Sequence, residues 1–364
     1  MKTPSGLRWG AVAGLASLTL AASASAQPVT VFDLTGRQIE LAAPAERIVT
    51  FPVPSASVVI GLSGGIDLLA AIHPESRLAI EHGILGEFFP GAHDIPTAIL
   101  ADGATRGWSP DLAALQAIDP DLVIQWEHAG EDFTSLAEAG LDTALLVFGT
   151  EQNVRDAIRM IGTAIGQTQK VDIMMAWRDL TSALIEAGLA QIPQEDRPRV
   201  AYFFYALTDL YTEGFGTYFD WQIRHLGAIN VAEPMQGWGE VDTATVVEWN
   251  PDIILLGNFE PGLHTNRIFE DEHLGGTNAA DDGRVYMMPL GGYRWGPGSL
   301  ESPLAWMWMA NLFYPDHFDF NLRAEIAEWY PRLYGHAPTE AQIDAILELE
   351  INGESAHYSR FAVE

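Results

Sequence analysis

Residues 111–124 read DLAALQAIDPDLVI, and residues 242–255 read DTATVVEWNPDIIL. The two stretches are offset by 131 residues throughout, with Asp111 and Asp242, Ala113 and Ala244, Pro120 and Pro251, and Asp121 and Asp252 identical. Each stretch opens on an aspartate, a residue that caps helices by accepting a backbone N–H. Apolar residues at helical spacing follow. A proline then closes the helix, and the apolar run after it reads as a parallel strand buried on both faces. The same helix–turn–strand unit thus occurs twice. One unit runs on into QWEHAG (residues 125–130), the other into LGNFEPG (residues 256–262). In open α/β sheets, ligands bind beyond the carboxyl ends of the strands. Two such ends predict a cleft between two similar lobes, with Trp126 and His128 on one wall and Phe259 on the other.

The rest of the chain alternates in the same α/β manner. VTVFDLTGRQIEL (29–41) reads as a hairpin turning at Thr35-Gly36. RIVTF (47–51) reads as a strand, SASVVIGL (55–62) as a helix capped by Ser55, and LLAAI (68–72) as the next buried segment. After TALLVF (143–148) a helical pattern runs from about Glu151 to Ile192, broken near Gly166-Gln167-Thr168. Val171, Met174, Met175, Leu180 and Leu184 recur in it near helical spacing. QIPQEDRPR (191–199) ends it, and VAYFFYAL (200–207) starts a fresh strand with Tyr205 near its end. The expected fold is therefore α/β. Two Rossmann-like lobes, residues 29–165 and 198–350, are joined by a single long bridging helix over 166–192.

The first 26 residues carry Lys2 and Arg8, an apolar run rich in Ala and Ser, and Ala24-Ser25-Ala26. This is the pattern of a cleaved secretory signal peptide. The chain has no Cys. That excludes disulfides, thiolate metal sites and the cysteine that carries a lipid anchor. The expectation is a soluble protein of the periplasm without a membrane anchor. The formal charge is −30, and −32 once Lys2 and Arg8 leave with the leader. Such a field repels nucleic acid and anionic lipid and favours solubility.

The order of these segments resembles the periplasmic ligand-binding proteins of ABC importers for ferric siderophores, haem and cobalamin. Asp33-Leu34-Thr35-Gly36-Arg37 and the later Arg47-Ile48-Val49 look like that family's opening. PSASVVIGLSGGIDLLAAI, LQAIDPDLVI, VRDAIRMIGTAIGQTQKVDIMMAWRDL, HLGAINVAE, NPDIILLG and AEWYPRLYGHAPTEAQIDAIL are similar to successive family segments. The resemblance covers nearly all of residues 29–350. It implies a non-enzymatic protein that captures an iron chelate and delivers it to an ABC permease. Haem, a corrinoid or an oxyanion are the other ligands it implies. An exported enzyme on the same scaffold is the competing class. Members of the family usually carry a Glu early in the helix of each repeated unit, for docking to the permease. Here those positions are Ala113 and Ala244, so either the neighbouring Asp111 and Asp242 serve for docking or the permease contact differs, with helix capping as the plainer role of the two Asp.

GGYRWGPG (291–298) puts three large side chains on a loop of turn residues. In the matching family region this loop enters the cleft. Arg294 would pair with a carboxylate or other anionic oxygen of the ligand, since guanidinium is always charged and bidentate. Tyr293 would give a hydroxyl, and Trp295 a flat apolar wall. The expected ligand set is Tyr293, Arg294, Trp295, Trp126, His128, Tyr205 and Phe259, with no catalytic residue, protein-held metal or covalent cofactor. The alternative for Arg294 is an ion pair with one of the many acids. GLSGG (61–65) matches a nucleophile elbow, but helix precedes Ser63 and strand follows it, the inverse of what the elbow needs. The ten His are scattered, with no His-x-x-x-His pair. Ser302 is expected to cap a helix buried all round, with Trp306 and Trp308 in its core face. Trp108, Trp221 and Trp238 are open between core and cleft.

Overall fold

The computed structural model describes residues 27–101 and 107–363. The proposed leader lies outside the described residues.

Strands β1 (Val29–Phe32) and β2 (Gln38–Leu41) form the antiparallel hairpin, with Gly36 at φ 84° in its turn. Strands β3 (Ile48–Thr50), β4 (Leu69–Ile72), β5 (Leu122–Trp126) and β6 (Thr143–Leu146) make a parallel sheet in the order β4-β3-β5-β6. The second sheet contains β7 (Arg199–Tyr205), β8 (Leu210–Glu213), β9 (Ile229–Asn230), β10 (Trp238–Val241), β11 (Ile253–Leu256) and β12 (Val285–Met287). Its order is β10-β8-β7-β11-β12, with β9 also on β7. Thus β5 and β11, the strands of the repeated unit, lie in separate sheets.

The repeat extends to its polar details. Helices Leu112–Ile118 and Thr243–Trp249 are capped by Asp111 and Asp242, which accept from the backbone N–H of Ala114 (3.0 Å) and Thr245 (2.8 Å). Each helix ends on a left-handed residue, Asp119 at φ 54° and Asn250 at φ 41°, the two side-chain types that tolerate that conformation best after glycine. Arg47 then donates to the Asp119 carbonyl (3.0 Å), and Arg199 to the Trp249 carbonyl (2.9 Å). Asp121 and Asp252 accept from the backbone N–H of Arg47 and Arg199, 2.9 Å in each case. The Pro-Asp pair therefore ties the helix end to the start of the neighbouring strand in both lobes.

Strand alternation divides the core. Ile48, Leu122 and Ile124 of the first sheet, and Val200, Tyr202, Ile253 and Leu255 of the second, face one continuous core. Val49 and Val123 face a private core of the first lobe, and Ala201, Phe203, Ile254 and Leu256 one of the second. The shared core is filled by helix Thr168–Leu189, the covalent link between the sheets, through Val171, Met174, Met175, Trp177 and Ile185. Leu180 and Leu184 do not join it: both are exposed, so the apolar spacing in this helix overstated its buried face. Helix Ser302–Phe313 packs along the bridge and is buried at every position, Trp306 and Trp308 included. Helix Leu322–Tyr334 packs against Ser55–Ser63 of the first lobe, so the C-terminal helices brace both lobes. Ser55 and Ser302 are the first helical residues rather than side-chain caps. Ser302 instead bonds Ser299 through its hydroxyl.

The lobes are also locked by charge. Arg178 of the bridge, 0% exposed, donates to both oxygens of Glu151 (2.7 and 2.6 Å) and to the Ser299 carbonyl (2.7 Å). Arg155 adds a second cation to Glu151 (2.8 Å), and the Tyr218 hydroxyl of the second lobe donates to it (3.2 Å).

Candidate ligand-binding cleft

The strand ends gather aromatic side chains from each lobe. Trp126, at the end of β5, stacks on the exposed His128 at 5.7 Å and meets Phe148 edge-on at 6.0 Å. Trp108 packs between Trp126 and His73. From the second lobe, Tyr205 at the end of β7 meets Phe259 edge-on at 5.9 Å, just past β11. Trp238 of β10 crosses from the second lobe to Phe148 of the first at 5.2 Å. A small apolar cavity of about 50 Å³ remains behind the wall, lined by Trp126, Phe148, Val154, Ile158 and Gly298. Pockets that enclose organic ligands run to hundreds of Å³, so this one marks imperfect packing between lobes rather than the cleft itself.

The loop 291–298 reaches its place because two glycines let it. A Cβ at Gly291 would collide with Glu301 and Tyr330, and one at Gly292 with Tyr334. Glu301 is buried and accepts from the Gly292 N–H (2.9 Å), the Trp295 indole (2.7 Å) and the hydroxyls of Tyr330 (3.2 Å) and Tyr334 (2.6 Å). The close backbone approach expected toward a ligand is made instead toward this carboxylate. Trp295 goes with it. At 1% exposure it is a core residue pinned to Glu301, which corrects the expectation of a cleft wall.

Arg294 takes the opposite direction. It is 4% exposed, its Nε donates to the Asn258 carbonyl at 2.5 Å, and its guanidinium lies 4.5 Å over the Phe259 ring. Its Nη1 is buried without a hydrogen-bond partner. Among the described residues no carboxylate lies within 4.0 Å of it, so the alternative of a simple ion pair does not hold. The contrast with Arg178, whose three nitrogens are all engaged, is sharp. Tyr293 beside it is buried, and burial pushes its hydroxyl up to about 12 against the pull of Arg294. It stays protonated at neutral pH and can donate. Tyr202 of β7, absent from the sequence-based set, adds a further buried hydroxyl without a partner, seated between Gly257 and Gly296.

The expected residues therefore form two groups. Tyr205, Phe259, Tyr293 and Arg294 come together, Trp126 and His128 come together opposite them, and Trp295 joins neither. Phe148 was missed, and Trp238, left open between core and cleft by the sequence, packs on it. Phe148 follows β6 just as Trp126 ends β5, so the strand-end rule could have found it. Ser63 spends its hydroxyl on the carbonyls of Val59 and Gly65 (2.8 Å each). Among the described residues no cluster of three or more His, Cys, Asp or Glu side chains is placed to hold a metal ion. On the outer face, Ala113 and Ala244 are exposed at matching helix positions. Thr245, through its hydroxyl and backbone N–H, holds the Asp242 carboxyl below its usual range.

Comparison with known proteins agrees with this architecture. The family described as periplasmic binding protein matches residues 103–290. The molybdate-binding protein MolA of Haemophilus influenzae is 28% identical over 184 residues, 50% of this chain and 51% of MolA. The matched stretch thus spans about half the length of that relative. A periplasmic solute binding protein from Veillonella parvula superposes with a TM-score of 0.79 at 25% identity, covering 90% of this chain and 98% of that one. MolA bound to molybdate superposes with a TM-score of 0.74 at 20% identity, over 85% and 99% of the two chains.

Proposed function

Because the chain belongs to the periplasmic binding protein family, we propose that it is the substrate-binding component of an ABC importer, working outside the cytoplasmic membrane on an anionic ligand. The observation that carries this reading is Arg294. A buried guanidinium with no carboxylate within 4.0 Å among the described residues is costly, because burying a charge is unfavourable unless it is paired. A ligand oxygen bearing negative charge would complete it. Tyr293 and Tyr205 stand beside it, and the aromatic walls suit a body larger than an ion. An anionic metal chelate of the ferric siderophore kind fits both features. It offers charged oxygens to Arg294 and apolar surface to Trp126, Phe148, Trp238 and Phe259. The reading is of capture, not turnover: Ser63 bonds backbone carbonyls, and the contact of Ser182 with His225 (3.2 Å) lies between the bridge and helix Tyr218–His225, outside the groups at the strand ends.

A bare oxyanion is the second reading, favoured by the similarity to MolA. Calorimetric titration with ferric citrate and with sodium molybdate separates the two, and native mass spectrometry of protein taken from its own cells reads the bound mass. Saturable binding of ferric citrate is expected. Retention of a neutral or cationic ligand, with neither anion bound, would end the proposal.

Docking to the permease is assigned here to Asp111 and Asp242. Both cap helices, so a Lys variant would mix charge reversal with a lost cap worth about 0.5–2 kcal/mol. The Asn variants keep the cap. Asp111→Asn with Asp242→Asn is expected to reduce uptake in cells while leaving ligand affinity and melting temperature unchanged. Full uptake by that double variant would remove both residues from the docking surface.

A further inference from the structure

Arg294 is aimed by a relay that begins in the C-terminal helices. Its Nε donates to the backbone carbonyl of Asn258 at 2.5 Å. The Asn258 side chain donates in turn to Glu348 Oε1 at 2.5 Å. Glu348 lies between helices Glu340–Ile346 and Leu349–Asn352. Its backbone is left-handed at φ 52°, a conformation that costs a residue with a Cβ and that glycine would accept freely. Strain of this kind persists where the surroundings impose it, often beside a functional site. Two further bonds hold the same stretch: the Ile346 carbonyl accepts from Leu290 N–H at 3.1 Å, at the root of the Arg294 loop, and the Leu347 carbonyl accepts from the Tyr358 hydroxyl.

The geometry points to Glu348 as the positioning residue for Arg294, acting through Asn258. The role is that of a hydrogen-bond acceptor rather than a countercharge. Burial pushes the Glu348 carboxyl up to about 7, against the pull of the Asn258 hydrogen bond, so it is partly neutral under ordinary conditions and an amide could replace it. The consequence for binding rests on the reading of Arg294 as the anion-binding residue; the positioning itself does not.

The test uses a readout that needs no ligand. The Nε–H of Arg294 gives a nitrogen-15 resonance in arginine-labelled protein, assigned by its loss in Arg294→Lys, and its exchange with water reports how firmly it is held on Asn258. Glu348→Gly relieves the left-handed strain and removes the acceptor. It is expected to melt at or above the wild-type temperature while that exchange becomes at least tenfold faster. Asn258→Ala should speed it similarly, and Glu348→Gln should leave it within twofold of wild type. Exchange within twofold of wild type in Glu348→Gly overturns the proposal, as does loss of protection only in company with a fall in melting temperature. Ferric citrate affinity, measured on the same variants, should fall with the loss of protection. If ferric citrate does not bind, the reading of the ligand fails and the exchange rates still decide the positioning.

Discussion

Glu151→Gln is expected to destabilise the protein by roughly 3–5 kcal/mol, the usual scale when one member of a buried ion pair is removed. Glu151 begins the last helix of the first lobe, Arg178 lies on the bridge, and Tyr218 and Ser299 belong to the second lobe. Losing the carboxylate strands a fully buried guanidinium at the point where all three parts meet. For a chain of this size the melting temperature should drop by roughly 4–7 °C. Replacing both partners, as Glu151→Leu with Arg178→Met, should recover much of the loss, since a well-packed apolar pair can match a buried ion pair. Thermal unfolding of the single and double variants checks this. A single variant within about 1 kcal/mol of wild type, on the exposed-pair scale, would show that the bridge is held by its apolar packing alone.

What the sequence disclosed follows from how local each signal is. The repeated unit was legible because Asp, helical spacing, Pro-Asp and an apolar strand all act within about fourteen residues. Its deeper symmetry was not, because Arg47 and Arg199 reach their carbonyls across 72 and 50 residues. The bridge was legible as a helix, yet Leu180 and Leu184 match the apolar pattern and still face solvent. Spacing names a stripe without saying how wide its partner is. In the loop, Arg294 and Trp295 are neighbours in sequence and go to opposite fates. The reason is Glu301, six residues beyond Trp295, which offers the indole a buried acceptor but gives Arg294 nothing within ion-pair reach. Nothing in GGYRWGPG itself says which side chain an acid further along will claim. Glu348 was invisible for the same reason, lying 90 residues from the asparagine it holds.

Arg294→Ala should separate binding from folding more cleanly than any other substitution. This side chain has a carbonyl for Nε, aromatic faces beside it and an unpartnered Nη1, and among the described residues no carboxylate within ion-pair reach. Removing it therefore breaks no ion pair, and it relieves the cost of a buried charge. The unliganded variant is expected to melt at or slightly above the wild-type temperature. Affinity for ferric citrate should fall by roughly 2–5 kcal/mol, the scale for removing one partner of a buried charged contact, which is a weakening of about thirty- to several thousand-fold. Arg294→Lys keeps the charge but not the planar fork. A lysine cannot hold the Asn258 carbonyl and also present two parallel donors to a ligand, so its affinity should lie between the two. Titration calorimetry beside thermal melts reads both quantities on one preparation. Wild-type affinity in Arg294→Ala would take the guanidinium out of the ligand site. A marked fall in the melting temperature would mean that it carries structural weight that its lack of an acidic partner conceals.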